Sequence, residues 1–288
     1  MRYYRTAVDG ETKFVVRNDE KAYDLTAARD GLTSFVDLAT VAEVEGTTVD
    51  EVAEGVIDDA PLLDADAVTD GAAIPAMPDE VWAAGVTYQI SSDAREEESG
   101  RGEMYQGAFE NERPEIFFKA TPERTMGPGE AVGIRNDSDW DVPEPELAVV
   151  VFGGEIVGYT IGNDMSSRSI EGENPLYLPQ AKIYDRCAAI GPCIASPETV
   201  GDPNDLEFSM TIERDGETMF DGATSTDQMV RTPEELVSYL TRHNAVPELS
   251  VLMTGTSLVP DDFTLEEGDH VSIDIENIGM LENPVVEV

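Results

Sequence analysis

Residues 141–168 read DVPEPELAVVVFGGEIVGYTIGNDMSSR, two apolar β-branched runs separated by Gly153-Gly154. Branched residues fit a pleated, half-buried surface, and paired glycines favour a tight reversal, so the stretch predicts an antiparallel hairpin. Glu144 and Glu146 are two residues apart, and on an extended segment they leave the same face about 7 Å from one another. A three-residue loop, Gly153 to Glu155, sets Glu144 opposite Asp164 and Glu146 opposite Gly162, so that the carboxylates converge. A two-residue loop sets Glu144 opposite Asn163 and turns Asp164 away unless a bulge corrects it. The convergent register is the expectation, because Pro143 and Pro145 are unusual inside a strand and mark a shaped site.

Converging carboxylates repel unless they are protonated or bridged by a cation. An all-oxygen set without histidine suits Mg²⁺, with Mn²⁺ or Ca²⁺ as alternatives, better than zinc. The competing reading makes Glu144 and Glu146 two more members of an acidic surface.

Outward from this hairpin, the chain from Val81 onward alternates short strand-like runs with Gly/Pro turns: FSMTIERDGETMF and HVSIDIENIG continue the pattern. ERDGET carries an Asp-Gly hairpin signal, and TPEELVSYLTRH reads as a helix capped by Thr232, with Pro233 at its first position and Glu235 closing a capping box. Residues 1–75 read as a small α/β unit, with a strand-like start and helical patterns near Leu32 to Val44 and Val49 to Ile57. The Pro/Gly-bearing stretch DGAAIPAMPDE marks a boundary near residue 75, leaving 76–288 as a second, mainly β unit. The fold class is α+β, mainly β. No glycine-rich phosphate loop and no βαβ alternation supports a Rossmann or barrel reading.

The 288 residues are 41% hydrophobic, enough for a full core, yet 60 acidic residues face only 18 basic ones and the formal charge is −42. The acids are spread along the chain, so the whole surface is acidic. It repels nucleic acid and anionic membranes and calls for concentrated counterions, which points to a salt-adapted cell; a local acidic face for a partner is the alternative. No apolar run approaches the ~20 residues that span a bilayer, and no secretory h-region follows the start, so a cytoplasmic protein is expected. Cys187 and Cys193 are the only cysteines and suit core packing. Lysine occurs only at positions 13, 21, 119 and 182. Lys119 in FFKAT and Lys182 in PQAKIYD sit among apolar residues, where an ammonium needs an anionic partner.

Taken together, VWAAGVTYQISSDAREEES, ERPEIFFKAT, VPEPELAVVV, VGYTIGNDMSSRSIEGENPLYLPQAKIYD and LMTGTSLVP resemble the fumarylacetoacetate hydrolase family. The resemblance implies a β-sandwich roll with a central metal site: Glu144, Glu146 and Asp164 as ligands, Lys182 as an active-site cation, and Thr256 beside Gly255 holding a substrate carboxylate. A 2-oxo acid would chelate the metal through its carboxylate and keto oxygens, which stabilises the charge that develops when a proton leaves C3. Hydrolytic members carry Gly-x-x-Tyr-x-x-His-x-x-Glu. Here Gly85 and Tyr88 fit, while Ser91 and Ala94 replace the water-activating pair, and His243 and His270 lie outside any matching motif.

ERPEIFFKAT with NDMSSRSIEGENPLYLPQAK is similar to the sugar-acid branch of the family, which dehydrates 2-keto-3-deoxypentonates (arabinonate or xylonate) to 2,5-dioxopentanoate and needs no such histidine. Glu115, four residues before Lys119 and beside Phe117 and Phe118, is the candidate base, with a plain Glu115–Lys119 ion pair as the rival; Lys119 joins Lys182 and Glu115 in the expected catalytic group, against an ion pair that serves only packing. Tyr88, Ser91 and Arg168 complete the expected substrate pocket; Arg168 neutralises an anionic substrate or pairs with Asp185 or Glu171. Residues 95–103 read as a lid offering Arg95 or Arg101, or as a solvated loop. The family implies a homodimer or homotetramer. Acylpyruvate hydrolase, oxaloacetate decarboxylase and a noncatalytic metal-binding protein are the alternatives, the last opposed by Lys182.

Overall fold

Gly153 and Gly154 take φ of 58° and 91°, so the reversal after Phe152 uses two residues, not the expected three. The computed structural model describes residues 1–8, 10–18, 21–88, 112–260 and 263–288. In it Phe152 pairs with Glu155 and Val151 with Ile156, after which Val150 pairs with Gly158 and Val157 is left as a bulge. The bulge restores the register that the short turn would have lost. Glu146 faces Gly162 and Pro145 faces Asn163, and the Asp164 N–H donates to the Glu144 carbonyl at 2.9 Å.

Strands of four residues or more are β1 (Arg2–Val8), β2 (Glu11–Asn18), β3 (Lys21–Asp24), β4 (Glu80–Gly85), β5 (Glu115–Ala120), β6 (Pro145–Phe152), β7 (Glu155–Asp164), β8 (Ala188–Ala195), β9 (Glu207–Arg214), β10 (Glu217–Ser225), β11 (Leu249–Met253), β12 (His270–Ile275) and β13 (Gly279–Glu287). The larger sheet runs β3-β2-β1-β8-β7-β6-β11-β4-β5. The β6/β7 hairpin lies at its centre, and every residue of β6 is buried, as its uninterrupted apolar run requires. The smaller sheet runs β10-β9-β12-β13 and ends on residues 132–134. Its β9/β10 reversal falls on Asp215 and Gly216, both at positive φ, as the Asp-Gly signal predicts.

Two helices follow the N-terminal strands: α1 (Phe35–Glu45) buries Phe35, Leu38, Ala39 and Ala42, and α2 (Val49–Ile57) buries Val49, Val52 and Ala53. Thr48 and Glu51 form a reciprocal capping box at the start of α2. Thr48→Ala is expected to cost about 1 kcal/mol, read as a lower unfolding midpoint with unchanged activity. Beyond the N-terminal segment lie α3 (Arg168–Glu173), α4 (Leu178–Lys182) and α5 (Pro233–Thr241). At α5 only half of the expected box forms: the Thr232 side chain accepts the Glu235 N–H at 3.2 Å, while the Glu235 carboxylate turns to Arg231 at 2.6 Å.

The sheet crosses the expected boundary near residue 75, because β1 pairs with β8, and one apolar core runs through both segments. Cys187 and Cys193 are free and buried in it. No described helix is long and apolar enough to cross a membrane.

Candidate active site

Glu144, Glu146 and Asp164 meet in the larger sheet, all buried, with one carboxylate oxygen of each within 4.8 Å of the others. The geometry follows from the hairpin. Glu144 and Glu146 share a face by strand alternation, and the bulge turns Asp164 onto that same face.

Two lysines and an arginine surround the acids. Lys182, the last residue of α4, is 1% exposed and donates to Glu144 Oε2 at 2.8 Å, Asp164 Oδ2 at 3.1 Å and Ser166 Oγ at 2.5 Å. Arg168 opens α3 and reaches Glu144 Oε1 at 3.1 Å and Glu171 at 3.9 Å, so of its two sequence-proposed partners the structure selects Glu171. Lys119 lies fully buried behind Asp164, 2.5 Å from Oδ1, and donates to the carbonyls of Met165 at 2.8 Å and Lys182 at 2.6 Å. It fixes the backbone that carries Asp164 and Lys182 and does not line the cleft. We therefore place it as a positioning residue, where the sequence reading has it in the catalytic group.

Glu146 differs from its neighbours. Among the described residues its Oε2 accepts the Gly255 N–H at 2.6 Å, while the ion pairs of Lys182 go to Glu144 and Asp164. Burial pushes its carboxyl well above the ordinary range; Asp164 and Glu144 push the same way, against Lys182 and the Gly255 N–H. A buried carboxylate held by one N–H beside two others is a donor set that a hard divalent cation completes, so the residues fit Mg²⁺.

Gly255 is built for this duty. Its φ is 92°, and a Cβ there would stand 2.1 Å from Thr87 Oγ1 and 3.0 Å from the Ala84 carbonyl oxygen. Gly255→Ala is expected to swing the N–H off Glu146 and weaken Mg²⁺ binding about 10–100-fold, with a lower unfolding temperature. Magnesium titration by calorimetry checks it, and unchanged affinity would dissociate this N–H from the metal site.

The cleft beside the carboxylates is walled by Ala84, Phe117, Arg168, Lys182, Gly255 and Thr256. Thr256 Oγ1 accepts the Leu258 N–H at 3.0 Å, which fixes the side chain at the cleft wall. Strand alternation puts Glu115 on the Phe117 face of β5, opposite Gly85, although Glu115 is not itself among the residues that wall the cleft. Tyr88 is 1% exposed, off the cleft wall, and its hydroxyl has no partner among the described residues; burial raises its pKa, with Glu146 and Asp227 adding to the effect. Ser91 and the 95–103 segment with Arg95 and Arg101 lie outside the described residues. His243 is exposed, and His270 lies 3.5 Å from Glu282 far from the cleft. Sequence reading missed Ser166, which holds Lys182 and itself donates to the Asp164 carbonyl at 2.9 Å. Its signal is the two-residue step from Asp164.

The two sheets and their buried carboxylates define a protein built around a hard-cation site. The chain belongs to the fumarylacetoacetate hydrolase family: residues 80–286 match the fumarylacetoacetate (FAA) hydrolase C-terminal domain. It is 59% identical over 289 aligned positions to "Probable 2-keto-3-deoxyxylonate dehydratase" of Haloferax volcanii, covering 100% of both. To the 2-dehydro-3-deoxy-D-arabinonate dehydratase of Saccharolobus solfataricus it is 45% identical over 218 positions, 73% of each chain. A solved structure of 2-keto-3-deoxy-D-arabinonate dehydratase complexed with magnesium and 2,5-dioxopentanoate superposes with a TM-score of 0.79 at 35% identity, covering 100% of this chain and 99% of that one.

Proposed function

We propose that this chain removes water from a 2-keto-3-deoxypentonate to give 2,5-dioxopentanoate, as a magnesium-dependent hydro-lyase. The observation that carries the reading is one cleft holding a buried carboxylate trio with Lys182 and Arg168 against it, on a chain whose motif replaces the hydrolytic His and Glu by Ser91 and Ala94. The names of its relatives support the same substrate class.

Glu144, Glu146 and Asp164 would hold Mg²⁺, which supplies a Lewis acid for the carboxylate and keto oxygens of a 2-oxo acid. Arg168 and Thr256 hold the substrate carboxylate by charge and hydrogen bonding. Glu115 takes the C3 proton, and the C4 hydroxyl departs with a proton as water. Lys182 sets positive charge beside the developing negative charge and is placed to exchange protons. The enone that remains tautomerises, its C5 carbinol becoming the aldehyde. Lys119 and Ser166 hold Lys182 and Asp164 in position.

The reading extends to the setting: a cytoplasmic enzyme of a salt-adapted cell, acting as a homodimer or homotetramer, with residues 1–75 as a small unit beside the catalytic 76–288. The charge of −42 and the relative from Haloferax volcanii support the salt adaptation. An NMR time course with 2-keto-3-deoxypentonate in concentrated KCl and Mg²⁺ tests the activity. Formation of 2,5-dioxopentanoate that EDTA abolishes is the expected result. Cleavage of an acylpyruvate with no dehydration would overturn it.

A further inference from the structure

On the opposite face of β5 from the cleft, a cavity of about 280 Å³ is lined by Trp82, Arg113, Ile116, Tyr239, Arg242 and His243 among others, and none of its lining residues is acidic. In a chain with 60 acidic and 18 basic residues, a wall holding two guanidiniums and an imidazole without a carboxylate reverses the sign of its surroundings. A concave site of one sign concentrates counter-ions of the other.

The cations are arranged around one ring. Arg242 lies over Tyr239 at 3.8 Å from the centroid and Arg113 at 5.9 Å, so one aromatic ring attracts both guanidiniums. Arg242 gives Nε to the Ser238 carbonyl at 3.2 Å and one Nη to the Ser238 hydroxyl at 3.0 Å, contacts that also offset the negative end of α5. Neither arginine pairs with a carboxylate among the described residues. Trp82 and Ile116 add apolar wall beside the charge.

We propose that this cavity is a second anion site, which takes a small molecule through a phosphate or carboxylate group held by Arg113 and Arg242, its less polar part lying against Trp82 and Ile116. The site bears on the reaction through β5. Arg113 is two residues ahead of Glu115, and Ile116 and Phe117 alternate between this cavity and the catalytic cleft. An occupant that fixes Arg113 and Ile116 therefore fixes the strand that carries Glu115.

The test is calorimetric titration of the magnesium-loaded protein with inorganic phosphate and, separately, with propionate, a carboxylate that lacks the 2-oxo group of the catalytic cleft's substrate, at low and high KCl. Saturable binding is expected, weaker at high salt through screening, and weaker by about tenfold or more in Arg113→Ala/Arg242→Ala, with magnesium affinity and turnover retained. The stronger of the two titrants identifies the oxyanion. Arg242→Lys, which keeps the charge, is expected to lie between wild type and the double variant; should the double variant fail to fold, Arg113→Ala alone serves, on an exposed side chain. Phosphate and propionate binding equally to wild type and variant would place the anion elsewhere and overturn the proposal. So would a variant altered only in subunit assembly.

Discussion

Lys182→Ala is expected to lower kcat about 10²–10⁴-fold and to destabilise the magnesium-free protein by about 3–5 kcal/mol. Both effects follow from one position. The ammonium is 1% exposed and lies 2.8 Å from Glu144 and 3.1 Å from Asp164, so its removal leaves two buried carboxylates facing each other with less compensation. Magnesium restores part of that compensation, and the stability deficit should narrow when it is added, because the cation binds a site made more negative. Activity should not return with it: a cation on the carboxylates replaces the charge of Lys182 and not the proton exchange proposed for it. Thermal unfolding with and without Mg²⁺, beside product formation at saturating substrate, separates the two. A variant within tenfold of wild-type kcat would remove Lys182 from the chemistry and leave it a structural cation.

The legible part of this site rests on periodicity and on scarcity. Two carboxylates two residues apart share a face on any strand, and Lys119 and Lys182 stand out where the surface avoids lysine. The hairpin was legible too, but its mechanics were not. Opposing Glu144 to Asp164 was reached from sequence with a three-residue loop, whereas the chain uses the Gly153-Gly154 turn and a bulge at Val157. Nothing local to Val157 signals a bulge. The next residue, Gly158, lies so near β8 that a Cβ there would stand 2.5 Å from an Ile194 methyl, so the irregularity belongs to the pairing of β7 with β8, a contact between distant segments.

The division of labour between the two lysines was hidden for a similar reason. Each reads as a lysine among apolar residues, and only tertiary packing puts one in the cleft and the other behind Asp164. Pairing of β1 with β8 was equally invisible, since a composition change near residue 75 says nothing about whether a sheet continues across it.

Glu146 gives the second large effect, a magnesium dependence that grows with pH. Its carboxyl is pushed up by burial and by two neighbouring carboxylates, so without metal the folded protein holds that proton more tightly than the unfolded chain does. The stability this contributes is complete below the unfolded carboxyl's pKa and is lost as pH rises through the raised folded value. Magnesium binds the ionised form, so its stabilisation should be larger at about pH 8 than at about pH 6, with a proton released on binding. Glu146→Gln keeps an oxygen for the Gly255 N–H and removes the charge. Metal-free, it should be at least as stable as wild type at the higher pH; with magnesium, its unfolding temperature should hardly move, and turnover should be lost with the ligand. If the magnesium shift in wild type were flat across this range, or survived in Glu146→Gln, the cation would be held without Glu146, and Glu144 and Asp164 would have to carry it with other oxygens.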